Sequence, residues 1–447
     1  MHGRPPHPFR ERPHRTLLRL ALPVLVSLVA EPVAALVDTA FVKELGAAPL
    51  AAVGVGTTLL SGVFWVFNFL GVASQSEVAA AAGAGDRARG REAVGLALGV
   101  GLAAGVVLLA IGWAVAGPAA AAMAATGEVR ADAVLYLRIR LLAAPAVLST
   151  LVAFGALRGL EDMQAPLRVA VGLNAWNVVL DRVLIFGIGP VPAFGLAGAA
   201  WATVASQWLG AAAALLLLYR RLGPPARAPL RRARRLVRIG GDLFVRTGLL
   251  TLFLVLGTRE ATAIGPEAGA AHHAIRAVWL FAALVLDAFA LSSQSLVAFF
   301  LGAGDAAAAR RVARICCGWS LAAGCGLGLG MLVGRSALAA LLVPAAARAA
   351  FAAAWLPAAL AQPLNALSFA TDGLHWGAQD YRWLRNAMVA AFLVGWAGLA
   401  AVDRSAEGAL AGVWWATSAW ILVRSALGLV RIWPGVGASP WWPRRAG

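Results

Sequence analysis

Charge is scarce in this chain. Asp, Glu, Lys and Arg make up 13% of its 447 residues, where a soluble domain carries roughly a quarter. That deficit excludes a surface built to face water all round. Lysine is nearly absent, Lys43 being the only one. The preference for arginine, alongside the many alanines, reads as genome composition and is assigned no function. Cysteine is also rare. Cys316, Cys317 and Cys325 share one apolar run, with neither metal-ligand spacing nor a disulfide framework. They read as small packing residues. Nor is there a Walker motif, an HExxH helix or a usable Ser-His-Asp order, and the GAGD loops do not follow strands. ATP hydrolysis and proteolysis are thereby disfavoured. The chain is not expected to be an enzyme, and no metal or cofactor is expected.

What the chain has in abundance is apolar sequence, 61% of residues. Runs of about 18–25 residues recur, each long enough for a ~30 Å hydrocarbon core. They lack the alternation of barrel strands, so helices are expected. Twelve spans are predicted, from 17–42 to 407–431, the fourth over 130–157, the fifth over 167–187 and the tenth over 347–373. The apolar run after the basic N-terminus has no small-residue cleavage site close behind, so it reads as a retained first helix. The net charge of +17 would suggest nucleic acid in a soluble protein. Here the arginines fall between apolar runs, which is the pattern of positive-inside topology. With the N-terminus inside, inner segments carry roughly 26 Lys/Arg and outer ones roughly 6, and both termini are expected in the cytoplasm. No nucleic-acid partner is expected.

The second half repeats the first. Gln75, Ser76 and the Gly83–Asp86 loop recur as Gln294, Ser295 and Gly302–Asp305, at a shift of about 219 residues. Arg19 and Gly46 fall on Arg238 and Gly265. Gly159 and Asp162 fall one residue out of register on Gly377 and Asp380. An even number of spans per half keeps both in one orientation, a parallel repeat about an axis along the membrane normal. The expected fold is all-α, with twelve transmembrane helices in two parallel six-helix lobes. The divisions are a basic N-terminus (1–16), an N-terminal lobe (17–219), a basic proline-broken linker (220–239), a C-terminal lobe (240–431) and a cytoplasmic tail (432–447).

Ionisable groups at membrane depth cost about 2.5–3.5 kcal/mol each on insertion scales, so they are functional candidates. Asp38, Asp181 and Asp287 are the deepest by these spans. Asn174, Asn177 and Asp181 follow at i, i+3 and i+7, on one face of the fifth helix. Such oxygens suit a small cation or a retained proton. Asp38 follows Glu31 by seven residues on the first helix, where Pro23 and Pro32 remove backbone hydrogen bonds and allow a bend. These prolines are the candidate gating hinge. Asp38 and Asp181 have no polar counterparts in the second half, so coupling is expected in the N-terminal lobe alone. Asn174, Asp287, Gln294 and Asn365 are candidates for lining a cavity. His272 and His273 cannot form a metal site unaided and read as interfacial, and most tryptophans fit interface belts.

Several segments resemble one family. Residues 22–56 are similar to the first helix and loop of the multidrug and toxic compound extrusion (MATE) transporters. ALRGLEDMQAPL (156–167) and 174–207 resemble that family's fourth-to-fifth loop and its fifth and sixth helices. LDAFALSSQSLVAFFLGAGD (286–305) resembles the branch named for the DNA-damage-inducible protein F. The resemblance implies twelve helices and export by cation antiport. By motif position it implies a coupling pocket of Asp38, Asn177, Asp181 and Thr203, with Pro23 at a bending point. Ala34 stands where the family has a tyrosine one turn before the acid, and Asn365 where another branch has a carboxylate. The expected activity is antiport of a proton, or sodium, against amphipathic or cationic organic compounds, by a monomer in the cell membrane. The alternative is a flippase for lipid-linked saccharides, whose cavity would be basic, with Arg138, Arg140, Arg246 and Arg276 as its candidates.

Overall fold

In the computed structural model, residues 7–442 are described, except for the side chains of Glu31, Leu230, Arg231 and Arg232. The arginines at 444 and 445 lie outside them. A short helix α1 (Pro8–Glu11) precedes the long α2 (Pro13–Lys43), α3 (Ala47–Val66) and α4 (Phe69–Ala84). There follow α5 (Arg87–Ala122), α6 (Gly127–Leu141), α7 (Ala144–Gly159), α8 (Gln164–Phe186) and α9 (Gly195–Leu222). The second half comprises α10 (Leu230–Ile264), α11 (Pro266–Gly302), α12 (Ala306–Val333) and α13 (Arg335–Leu342). It ends with α14 (Arg348–Leu360), α15 (Gln362–Gly377), α16 (Tyr381–Ala400) and α17 (Ala409–Ile432). Among the described residues ten helices, α3 and α4 counted together, are long and apolar enough to cross a membrane, and the bent pair α6–α7 makes an eleventh. The remaining expected span, the tenth (347–373), coincides with α14 and α15, two shorter helices broken at Ala361. Each break precedes a proline, Pro145 and Pro363, which lacks an N–H for the turn before it. At the first break the indole of Trp208 donates to the Leu142 carbonyl at 3.2 Å, supplying a partner that the interrupted helix does not.

The chain forms two compact units, Val26–Gly240 and a second made of Met1–Leu25 with Gly241–Gly447. Residues up to Leu25 thus cluster with the second unit, although the sequence grouped 17–25 with the N-terminal lobe. The expected linker 220–239 is helical from Leu230, where α10 begins. Its proline-containing part is stapled down instead. Arg91 Nε donates to the Pro224 carbonyl at 2.7 Å, and the Ala226 amide to the Arg91 carbonyl at 3.1 Å.

Inside each unit the repeat is physical. In the first, α4 and α5 pack on α7, and α8 on α9. In the second, α11 and α12 pack on α15, and α16 on α17. Gly85 and Gly304 end their helices at φ 75° and 77°, a conformation that favours glycine. Asp86 and Asp305 then cap the next helix, accepting from the amides of Arg89 and Ala308 at 2.9 and 2.8 Å. A Cβ at Gly155 would lie 2.2 Å from the Gly71 carbonyl, and one at Gly373 2.2 Å from that of Ala290. The same holds one turn on, where Gly159 and Gly377 each meet a glutamine carbonyl, Gln75 or Gln294, at 2.5 Å. Close backbone approach through small residues replaces the hydrophobic effect, which hydrocarbon solvent does not provide. Gly155→Val and Gly373→Val are therefore expected to abolish monodisperse protein on size-exclusion chromatography. Gly54→Ala and Gly99→Ala, where a Cβ meets nothing within 4 Å, are expected to leave the elution profile and melting temperature within a few degrees of the parent.

Candidate functional site

The first cluster lies in the unit Val26–Gly240. Asp38 comes from α2, Asn177 and Asp181 from α8, and Tyr136 and Arg140 from α6. Asp181 and Asn177 are buried and Asp38 is half-buried. The two carboxyl groups are in hydrogen-bond contact. In a carboxyl pair so arranged, one protonated group can donate its O–H to an oxygen of the other. The Arg140 guanidinium is close enough to act on both charges, and its Cζ lies 5.8 Å from the Tyr136 ring centre. Tyr136 is itself fixed by α3, since a Cβ at Gly56 would lie 2.5 Å from its ring. Buried atoms of Asp38 (Oδ1), Asp181 (Oδ2), Asn177 (Nδ2) and Arg140 (Nε, Nη1) have no hydrogen-bond partner. The cluster therefore has donors and acceptors to spare for a change of protonation or ligand.

The other sequence candidates fall elsewhere. Thr203 donates to the Ala199 carbonyl of its own helix at 3.0 Å. Asn174 donates to the Ala30 carbonyl at 3.4 Å, a link between α8 and α2. Asp287 is half-buried on α11. Gln294 and Asn365 are completely buried on the packed helices α11 and α15, so neither is open to solvent. Helix α2 stays helical through Pro23 and Pro32.

A second cluster was not anticipated. Asp372 on α15 is buried between Arg246 of α10 and Arg424 of α17, pairing with the first and lying 2.8 Å from Arg424 Nη2. Trp376 and Trp420 stack over these guanidiniums, at 5.2 and 4.5 Å. Asp372 escaped notice because the tenth span was expected to end at 373, whereas α15 runs to Gly377. Arg424 gave a readable signal, as a lone arginine inside an apolar run.

The MatE family model matches residues 23–183, the stretch that contains every member of the first cluster. The protein DETOXIFICATION 44, chloroplastic, of Arabidopsis thaliana is 32% identical, over 98% of this chain and 86% of its own length. This chain belongs to the MATE family. The probable multidrug resistance protein NorM of Deinococcus radiodurans is also 32% identical, over 91% of this chain and 92% of its own. A solved MATE in the bent conformation superposes with a TM-score of 0.83 at 19% identity, covering 94% of each chain. The fold is accordingly that of the MATE transporters, twelve helices in two lobes. The chain is a multi-pass membrane transporter of this efflux family.

The charge balance around Asp372 makes a prediction. Removing one member of a buried ion cluster leaves its partners uncompensated, while replacing all of them with apolar side chains is tolerated. Asp372→Ala should lower stability by about 3–5 kcal/mol, read as a fall in melting temperature in detergent. The triple variant Arg246→Met, Asp372→Leu, Arg424→Met should recover most of that loss.

Proposed function

We propose that this MATE transporter exports amphipathic, cationic organic compounds across the cell membrane by antiport against protons, with both termini in the cytoplasm. The observation that carries the reading is the hydrogen-bonded carboxyl pair Asp38–Asp181 beside Arg140. Two carboxyl groups in contact share protons and titrate as a unit. A sodium ion would have to share the same oxygens with a permanently charged guanidinium, which opposes it electrostatically. A proton adds no such conflict, because it removes a charge.

On this reading a proton arriving from outside neutralises the half-open Asp38 and loosens its hold on Arg140. Helix α2, freed of that attraction, bends at Pro23 and Pro32, where backbone hydrogen bonds are already missing. Deprotonation on the inside resets the pair. Proton and substrate are coupled only through their different affinities for the two states. The flippase alternative calls for a basic headgroup clamp. The four arginines suggested for it each have a contact of their own. Arg140 lies by the acids, Arg246 by Asp372, Arg276 donates to Thr258 at 3.0 Å, and Arg138 stacks on Trp113 at 5.6 Å.

The test is uptake of a fluorescent organic cation into everted vesicles under an imposed pH gradient, then under a sodium gradient. Uptake should follow the pH gradient alone. Asp38→Asn and Asp181→Asn should each abolish it at unchanged membrane abundance. Normal uptake by Asp38→Asn would sink the proposal, and uptake driven by sodium alone would reassign the coupling ion.

A further inference from the structure

Helix α10 begins before its apolar run. Its first turns carry Arg234, Arg235 and Arg238, alternating with Leu236 and Ile239, which are buried. Beneath them lies a cavity of about 360 Å³ between α10, α4 and α5, at the lower end of the size range for ligand sites. It belongs wholly to the unit Val26–Gly240. It shares no residue with the Asp38–Asp181 cluster, which is built from α2, α6 and α8.

The lining is sorted along the helices. Glu77 accepts from Arg89 at 3.2 Å and from Arg235 at 3.0 Å. One carboxylate between two guanidiniums leaves a net positive charge, and each guanidinium carries five N–H donors in a planar fork. The Ser74 hydroxyl, 2% exposed and without a partner, lines the same cavity. Away from these groups the wall is apolar, formed by Leu96, Ala97, Leu236 and Ile239. Along α5 the step from Arg89 to Ala97 is about 12 Å, taking the wall from a charged helix start into the apolar run.

We propose that this cavity binds one anionic phospholipid. Its phosphate lies between Arg89 and Arg235, with the Ser74 hydroxyl donating to it, and an acyl chain follows Leu96, Ala97, Leu236 and Ile239. The net positive charge repels an organic cation, so the site is not a second place for the proposed substrate. A free phosphate would use the arginines but leave the apolar wall uncovered. The position also fits, because juxtamembrane arginines stand at the depth of lipid phosphates. The bound lipid would tie the first turns of α10 to α4 and α5.

Full-length protein in mild detergent, given equal amounts of phosphatidylglycerol and phosphatidylcholine, is examined by native mass spectrometry. Phosphatidylglycerol adducts should exceed phosphatidylcholine adducts by about tenfold. The double variant Arg89→Gln, Arg235→Gln should erase that preference. Ala97→Trp, which keeps every charge and fills the apolar end, should reduce phosphatidylglycerol binding by a similar factor, so the result does not hang on the charge variant folding. Arg234→Gln with Arg238→Gln, on the exposed side of the same turns, should leave the preference intact. An undiminished preference in the Arg89/Arg235 variant overturns the proposal. So does equal loss in the Arg234/Arg238 variant, and so does glycerol phosphate competing as well as the whole lipid. Binding is read without transport, so the outcome is independent of the antiport reading.

Discussion

A charge placed among apolar helices has to be met by another charge, because hydrocarbon offers it nothing else. That constraint organises both units of this transporter, with opposite balance. In the unit Val26–Gly240 two carboxyl groups, Asp38 and Asp181, face one guanidinium, Arg140. In the other, one carboxylate, Asp372, faces two, Arg246 and Arg424. The first arrangement has more carboxyl groups than guanidiniums. The second holds its single carboxylate from two sides.

The duplication supplies backbone geometry, and that is what both halves kept. The glycine contacts repeat, at 2.2 Å for 155 and 373 and at 2.5 Å for 159 and 377, and so do the capping aspartates 86 and 305, at 2.9 and 2.8 Å. Glu161 and Gln379 even share a left-handed backbone, at φ 61° and 56°. Substitution at these glycines forces a Cβ against a backbone carbonyl, so little freedom remained there. The charged clusters occupy positions that do not correspond. Arg140 aligns with an alanine and Asp372 with a phenylalanine. Side chains that project from a conserved scaffold could diverge without disturbing it.

This division explains what could be read in advance. Span length and arginine bias gave the membrane class, and internal identity gave the repeat, because both follow from bilayer thickness and backbone packing. Asp181 and Asn177 were visible as a polar stripe of fixed helical spacing, and Asp38 as an acid in an apolar run. Arg140 and Tyr136 were harder to place. They lie four apart on α6, but only tertiary packing brings that face to α2 and α8. Asp372 was hidden by an error of a few residues in a helix end, which is enough to turn a buried acid into an apparent boundary residue. The start of α10 at Leu230, inside the expected linker, has a similar cause. Arginine-rich sequence reads as loop when its apolar partners, Leu236 and Ile239, are counted with the span that follows.

Helix α2 connects these observations. Its residues up to Leu25 belong with the second unit and those from Val26 with the first, so the change of allegiance falls between Pro23 and Pro32. The early part is held firmly. Just before α2, Arg10 pairs with Asp305, and within it His14 accepts from the Trp319 indole at 3.1 Å. The later part carries Asp38. A helix anchored at one end in one unit, bearing an acid in the other, and weakened by proline at the changeover, is the element on which a change of charge has the most leverage. On the proposed reading, protonating Asp38 would alter the attraction at one end only, and the strain would fall on the segment whose prolines lack N–H donors. That is a physical reason to look for coupling in α2 rather than in α15, where Asp372 is clasped from both sides.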